Sequence, residues 1–182
     1  DKYVEMAPTA ALQPYVHHFA IQESQDISEV TVVPGLSMVM GFQFTGCAKL
    51  RQDSGLVDLS TAGITGVLNS FRVFEYSRGV GSILVYFRPL AAAAFLPLPA
   101  YELQEKSLSL YEILPGKLVR ETGEKISLSQ NNHERIAAVE NLLLKLFRPK
   151  NTDALASAAC NRIVDNGGNI RIGQLAKDLY IS

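Results

Sequence analysis

Ser37-Met38-Val39-Met40-Gly41-Phe42-Gln43-Phe44, closed by Thr45-Gly46, is the stretch that decides the class of fold. It is short, uncharged and rich in Val, Met and Phe, which fits a mostly buried strand. Gly41 inside it marks a bulge or a close approach of another backbone. Upstream, Thr31-Val32-Val33 is another strand, stopped by the turn pair Pro34-Gly35. Downstream, Ala48 to Arg51 and Leu56 to Leu59 flank the turn Asp53-Ser54-Gly55. Ala62 to Thr65, Phe71 to Tyr76 and Ser82 to Phe87 follow, with Gly66, Gly79 and Gly81 between or beside them. Short strands at this spacing predict an antiparallel barrel-like or sandwich β-sheet over about residues 28–88, not a parallel α/β sheet.

After Pro89 the texture turns helical. Leu90 to Leu96 carries four alanines, strong helix formers, with proline at the first turn where it is tolerated. Pro97 and Pro99 end that helix. A second predicted helix covers Tyr111 to Glu121, with Pro115-Gly116 in its middle. A third runs from about His133 to Phe147. Asn131 caps it, Glu134 gives a capping-box-like start, and Ile136, Val139, Leu143, Leu146 and Phe147 form its buried stripe before Pro149. Lys150-Asn151-Thr152-Asp153 reads as a linker. Asp153 then caps Ala154 to Asp165, which stops at Asn166-Gly167-Gly168, and a last helix spans about Ile172 to Leu179. The expected class is α+β, with residues 1–149 as one domain and 150–182 as a second.

The chain has 182 residues, 47% of them hydrophobic, enough for one sizeable core and a small second unit. Seventeen basic residues against eighteen acidic ones leave a formal charge of −1. That balance demands no nucleic acid or anionic surface as partner. Seven Tyr and eight Phe with only 19% charged residues argue against disorder. Two cysteines, Cys47 and Cys160, are too few for a disulfide scaffold or a zinc knuckle, so a reducing cytoplasm is expected. The longest apolar run, around 89–100, is broken by three prolines and does not suit a membrane span. The opening Asp-Lys-Tyr shows no signal peptide, and the missing Met fits a processed or trimmed chain.

Catalytic chemistry finds no positive support. His17 and His18 are adjacent, so in a strand they should point to opposite faces, and His133 belongs to a helix. No metal site is expected from them. No Gly-x-Ser-x-Gly elbow occurs, Cys47 has no base beside it in sequence, and Cys160, next to Ala158 and Ala159, reads as a small core residue. The glycines at 63 and 66, or at 79 and 81, fit neither a dinucleotide fingerprint nor a P-loop. The expectation is a protein without enzyme activity and without a cofactor.

The last helix is more informative. Ile170, Ile172, Leu175, Ala176, Leu179 and Ile181 describe a short helix with a small residue on its inner face and a turn after it. A small residue such as Ala176 lets a second helix cross closely, as a helix-turn-helix requires. Ser182 stands where the next helix would be capped. Ile172, Leu175, Ala176, Leu179 and Ser182 are thus candidate scaffold residues of such a motif, against ordinary amphipathic packing.

The run from Ile170 to Ser182 resembles the opening of the AraC-type DNA-binding domain. Upstream segments are similar, in order, to one kind of AraC-family N-terminal domain. These are Leu12-Gln13-Pro14-Tyr15-Val16, Val33-Pro34-Gly35 with Met38 to Phe44, and Gly63-Ile64-Thr65-Gly66. Tyr86-Phe87-Arg88-Pro89, Leu108-Ser109-Leu110, and Glu134-Arg135 leading to Glu140-Asn141-Leu142-Leu143 complete them. The resemblance implies the regulatory, effector-sensing or dimerising portion of a transcription regulator, carried into a truncated helix-turn-helix. Two departures stand out. The family commonly has an acidic residue and a glycine after the proline, where this chain has Gly35-Leu36. The first recognition helix and the whole second helix-turn-helix unit are absent. Beyond residue 149, Lys150, Arg162, Arg171 and Lys177 face Asp153, Asp165 and Asp178, a balance with little phosphate attraction. Promoter DNA is therefore expected as a partner of the full-length parent and not of this chain.

For a small-molecule effector the candidate pocket lies inside or at the mouth of the sheet, among Phe42, Phe44, Phe71, Phe74, Tyr76 and Tyr86. The plain alternative is that these rings fill the core. Arg88 is a candidate anion contact, or else a structural hydrogen bond at the strand-to-helix junction. The helix over 132–147 is a candidate homodimer face. Two other classes stay open: a stand-alone small-molecule-binding β-barrel, and a metal-dependent barrel enzyme.

Overall fold

A computed structural model of the protein describes residues 2–148 and 154–181. The chain divides into two compact units, Asp1–Arg148 and Pro149–Ser182, and each is described by itself. Pro149, the linker Lys150 to Asp153 with its capping Asp153, and Ser182 lie outside the described residues.

The first unit carries ten strands in two antiparallel sheets. The larger uses β1 (Lys2–Met6), β2 (Val16–Ser24), β4 (Val39–Thr45), β7 (Ala62–Thr65), β9 (Val80–Phe87) and β10 (Ser107–Ser109), in the order β1-β2-β9-β4-β7-β10. The smaller uses β3 (Ser28–Val32), β5 (Ala48–Gln52), β6 (Gly55–Asp58) and β8 (Arg72–Tyr76), in the order β3-β8-β5-β6. The class is α+β as expected, and of the two arrangements expected, barrel-like or sandwich, the sheets form two separate antiparallel layers.

The strands of the larger sheet alternate in what they carry, and the alternation sorts the molecule into layers. Met40 and Phe42 of β4, Ile83, Val85 and Phe87 of β9, and Phe19 and Ile21 of β2 are buried in the main core. Helices complete that core. They are α1 (Leu110–Ile113), α2 (Gly116–Leu128) and α3 (Asn132–Leu146). Val119 and Ile126 of α2, with Ile136, Val139, Leu142 and Leu143 of α3, supply the facing side chains. The smaller sheet has its own cluster of Ala48, Leu50, Phe74, Tyr76 and Val80.

The N-terminal segment is strapped onto this body. The Thr9 N–H donates to Oε1 of the buried Glu140 at 2.8 Å. Tyr15 meets Phe95 and Phe147 edge-on, at centroid distances of 5.6 and 5.0 Å.

Three sequence expectations need correction. Strands β1, β2 and β10 lie outside the predicted 28–88 region. In β2 a register shift between Val16 and His18 breaks the period of two that betrays a strand. Leu90 to Leu96 is not an α-helix: only a 3-10 turn, Ala91–Ala94, forms there. Leu90 has φ 65°, and the space between Pro89 and Pro97 leaves few residues for i to i−4 bonds. The predicted Tyr111–Glu121 helix is two helices, because Pro115 donates no hydrogen bond and holds Leu114 extended at φ −123° and ψ 160°. The second of them runs on to Leu128.

In the second unit, α4 (Ala154–Asp165) ends on Gly167 and Gly168 with φ 58° and 78°. The Gly168 N–H returns to the Ile163 carbonyl at 2.8 Å. Helix α5 (Ile172–Asp178) follows, and an Arg162–Asp178 ion pair at 3.9 Å links the two. Leu175 is buried, Ala176 and Leu179 are half-buried, and Ile172 is 77% exposed. Tyr180, at φ 56°, turns the chain after α5. Cys160 is half-buried, not a core residue, since no residue of α4 is buried. No helix of the described residues is long and apolar enough to cross a membrane.

The cap of α3 generates a test. Asn131 Oδ1 accepts from the Glu134 N–H at 3.0 Å, and Glu134 Oε2 accepts from the Gln130 N–H at 2.8 Å. Asn131→Ala should lower stability by about 1 kcal/mol, read as a lower urea midpoint at unchanged slope. An unchanged midpoint would contradict the assignment.

A candidate ligand cavity between the two sheets

The face of the larger sheet turned away from the helices carries small and polar residues. Val39, Gly41 and Gln43 of β4, Gly63 and Thr65 of β7, and Ser82, Leu84 and Tyr86 of β9 all line one cavity. Ala48, Leu50, Phe74 and Tyr76 of the smaller sheet line its other side. Its volume is about 680 Å³, within the usual span for small-molecule sites. The space exists because glycines at 41 and 63 present no side chain where a strand would normally fill its face. Gly41 is close to a side chain more than to a backbone: a Cβ there would lie 3.3 Å from Leu84 Cδ2. The ladder irregularity falls two residues later, between Gln43 and Thr45.

The polar groups of the wall largely satisfy one another. Ser109 Oγ donates to Ser60 Oγ at 3.0 Å, and Thr65 Oγ1 lies 2.9 Å from Ser107 Oγ. Arg72 Nη1 donates to Ser107 Oγ at 3.4 Å, and Nη2 pairs with Glu105 at 3.8 Å. The Asn69 N–H, then Ser70 and Arg72, hold the Glu105 carboxyl below its ordinary range against a desolvation effect. Gln43 donates through Nε2 to the Ser60 carbonyl at 3.2 Å. Its Oε1 is buried and has no hydrogen-bond partner among the described residues. Burial pushes the Tyr76 phenol up to about 12, so it stays protonated at neutral pH.

At the mouth stand the loop 33–37 and strand β6. Val33, Leu36 and Val57 are exposed there, and Gly35 bridges to Leu68. The ionisable carboxyls of the lining are Asp58, paired with Lys49 at 3.2 Å, and the exposed Glu112.

Of the six aromatic residues proposed from sequence, Phe74, Tyr76 and Tyr86 line the cavity. Phe42 is buried on the helix side. Phe44 lies under the Arg135 guanidinium at 4.3 Å and occupies the space beside Gly81, where a Cβ would be 2.3 Å from its ring. Phe71 is 66% exposed, just ahead of β8. Alternation explains the split, since residues 42 and 44 share a face that 41 and 43 do not. Gln43 escaped the sequence reading, although Gly41, Gly63 and Ser82, one on each of three strands, were a usable signal. Arg88 makes the structural bonds: Nε donates to the Gln13 carbonyl and the N–H to the Tyr15 carbonyl, both at 2.8 Å.

His17 and His18 do not diverge as expected. Because the ladder shifts between Val16 and His18, their Nδ1 atoms lie 2.7 Å apart. His18 also stacks on Tyr86, with centroids 4.4 Å apart and planes 17° from parallel. Among the described residues no group of three or more His, Cys, Asp or Glu converges as a metal site would require.

Burial lowers the His18 pKa from its ordinary 6.5; Glu5 opposes this and His17 adds to it. Folding therefore favours the neutral ring. That contribution is complete above the unfolded value of about 6.5 and is lost as pH falls through the lowered folded value. In thermal melts from about pH 8 to about pH 5, the protein should lose more stability than His18→Phe does. Parallel curves would contradict this.

No curated protein matches the sequence. Among solved structures, unsaturated fatty acid-bound wild-type ToxT from Vibrio cholerae is similar, with 10% identity and TM-score 0.49, over 90% of this chain and 69% of that one. A second ToxT structure from Vibrio cholerae has 9% identity and TM-score 0.45, over 100% and 72%. The AraC-like transcriptional activator CuxR has 15% identity and TM-score 0.39, over 99% and 76%. Residues 4–109 match the family described as a domain of unknown function, DUF6597, and with that match spanning more than half of its length the chain belongs to this family.

Proposed function

We propose that the first unit is the effector-sensing regulatory domain of an AraC-type transcription regulator, and that α4 and α5 are the first helices of its DNA-binding domain. The observation that carries the reading is the cavity. Protein interiors are close-packed, and a sandwich that leaves about 680 Å³ between its sheets departs strongly from that rule. The departure is written into the strands by Gly41, Gly63, Ser82 and Ala48, which all line the space. An occupant is the economical explanation.

The ordered motifs from Leu12 to Ser182 support the regulator class. So does the exposure of Val164, Ile172 and Ile181 in α4, α5 and their flanks, which fits helices that pack on further elements. The effector would act by population shift, and only if it binds one arrangement of the regulator better than another. The helix over 132–147, with exposed Leu144, is the candidate homodimer face. Promoter DNA is the partner of the complete regulator, whose setting is the cytoplasm.

A thermal-shift panel of small metabolites tests the reading on the protein, Gly41→Leu and Val39→Phe. An effector at a hundred times its Kd should raise Tm on the order of 5–10 °C, and both cavity-filling variants should lose most of that shift. Hits that stabilise all three proteins equally would contradict the cavity as the site. With a hit in hand, hydrogen exchange at 154–181 should change on binding. Unchanged exchange there would favour a stand-alone small-molecule-binding barrel instead.

A further inference from the structure

From the chemistry of the cavity wall we infer that its ligand is an uncharged, mainly apolar molecule held by one polar contact to the Gln43 carboxamide, and that the site rejects carboxylates. This rests on the reading of the cavity as an effector site and names the class of effector.

The exclusion of anions comes from charge. Among the described residues no Lys, Arg or His side chain lines the cavity. The nearby cation Arg72 is already committed to Glu105 and Ser107, and Lys49 is paired with Asp58. Of the carboxyls that line the space, Asp58 is offset by Lys49, and Glu112 adds negative charge. A carboxylate entering there would give up water for a wall without a counter-charge, which strongly disfavours the ionised form. A neutral molecule incurs no such cost.

The apolar character comes from both walls and from the mouth. Leu50 and Phe74 face Leu84 and Val39 across the space, and Val33 and Leu36 stand exposed at the opening. A ligand body that covers these groups gains by the area it removes from water.

The polar contact is assigned to the one lining side-chain atom that is buried without a hydrogen-bond partner among the described residues. The Ser37, Ser82, Tyr76 and Tyr86 hydroxyls also line the space and are not such atoms. The serine and threonine hydroxyls at 60, 65, 107 and 109 bond to one another. Gln43 keeps one acceptor, Oε1, that is buried and unpartnered among the described residues. A carboxamide turns readily about its terminal torsion, so a ligand hydroxyl or amide N–H can take that acceptor.

Three probes of one shape separate the possibilities at about pH 7.5, where a carboxylic acid is ionised and a phenol is not. They are 2-naphthol, 2-methoxynaphthalene and 2-naphthoate, titrated by calorimetry into the full chain. The naphthol should bind; the methyl ether, lacking a donor, should bind about fivefold more weakly. The naphthoate should bind at least about tenfold more weakly than the naphthol. Gln43→Met should erase the preference for naphthol over its ether, and Val39→Phe and Gly41→Leu should weaken all binding. Cooperative melting of each variant certifies its fold.

Naphthoate binding as tightly as naphthol, with loss in Val39→Phe, overturns the ligand class and leaves the cavity reading standing. A naphthol preference that survives in Gln43→Met overturns the role of Gln43. No binding by any probe, or binding indifferent to both filling variants, overturns the cavity reading and this inference with it.

Discussion

The structure depends on one constraint: the central strands β9 and β4 must serve two different neighbours at once. A strand gives alternate residues to opposite faces, so one short sequence writes two surfaces. Met40, Phe42, Ile83, Val85 and Phe87 write a close-packed surface for the helices. Gly41, Gln43, Ser82 and Leu84 write the other, which stays open. A register slip of one residue would exchange them, placing glycine and serine against α3 and phenylalanine in the cavity. Stability and the open cavity are therefore set by the same ladder.

That division lets the two faces change at different cost. The helix-side face holds the main hydrophobic core, where truncating Phe42 to Ala would cost about 3–5 kcal/mol. The cavity face contributes less packing, so its residues are free to be chosen for what they meet. Gln43 illustrates the point. Its backbone N–H bonds the Thr61 carbonyl at 2.7 Å within the sheet, while its side chain reaches Ser60 and keeps an acceptor unused. Tyr86 joins two settings in a similar way, with its ring stacked on His18 while it lines the cavity.

Much of this fold was legible in the sequence where local signals agree with tertiary demands. The strands from 28 to 87 were marked by β-branched and aromatic runs cut by glycine turns, and α3 was marked by its cap and stripe. What was hidden lay where packing overrides local preference. Strand β2 is paired on both sides, by β1 and β9, yet its irregular register scrambles the alternation. The alanines at 91–94 favour a helix, but bracketing prolines and a left-handed Leu90 leave room only for a tighter turn. The site was half legible for a simple reason. Aromatic residues draw the eye, but Phe42 and Phe44 occupy the wrong parity, while the residues that make the space are those with almost no side chain. Emptiness has no composition signal of its own; it shows only when the strand faces are separated.

The most direct measurement of the central claim is the location of a bound heavy-atom probe. A crystal of the protein soaked with 6-bromo-2-naphthol would reveal the bromine by its anomalous scattering. The account predicts a peak between the two sheets, enclosed by Leu84, Phe74 and Leu50, with the naphthol oxygen at Gln43. A bromine bound elsewhere on the surface, with the space between the sheets closed by inward-turned side chains, would contradict it.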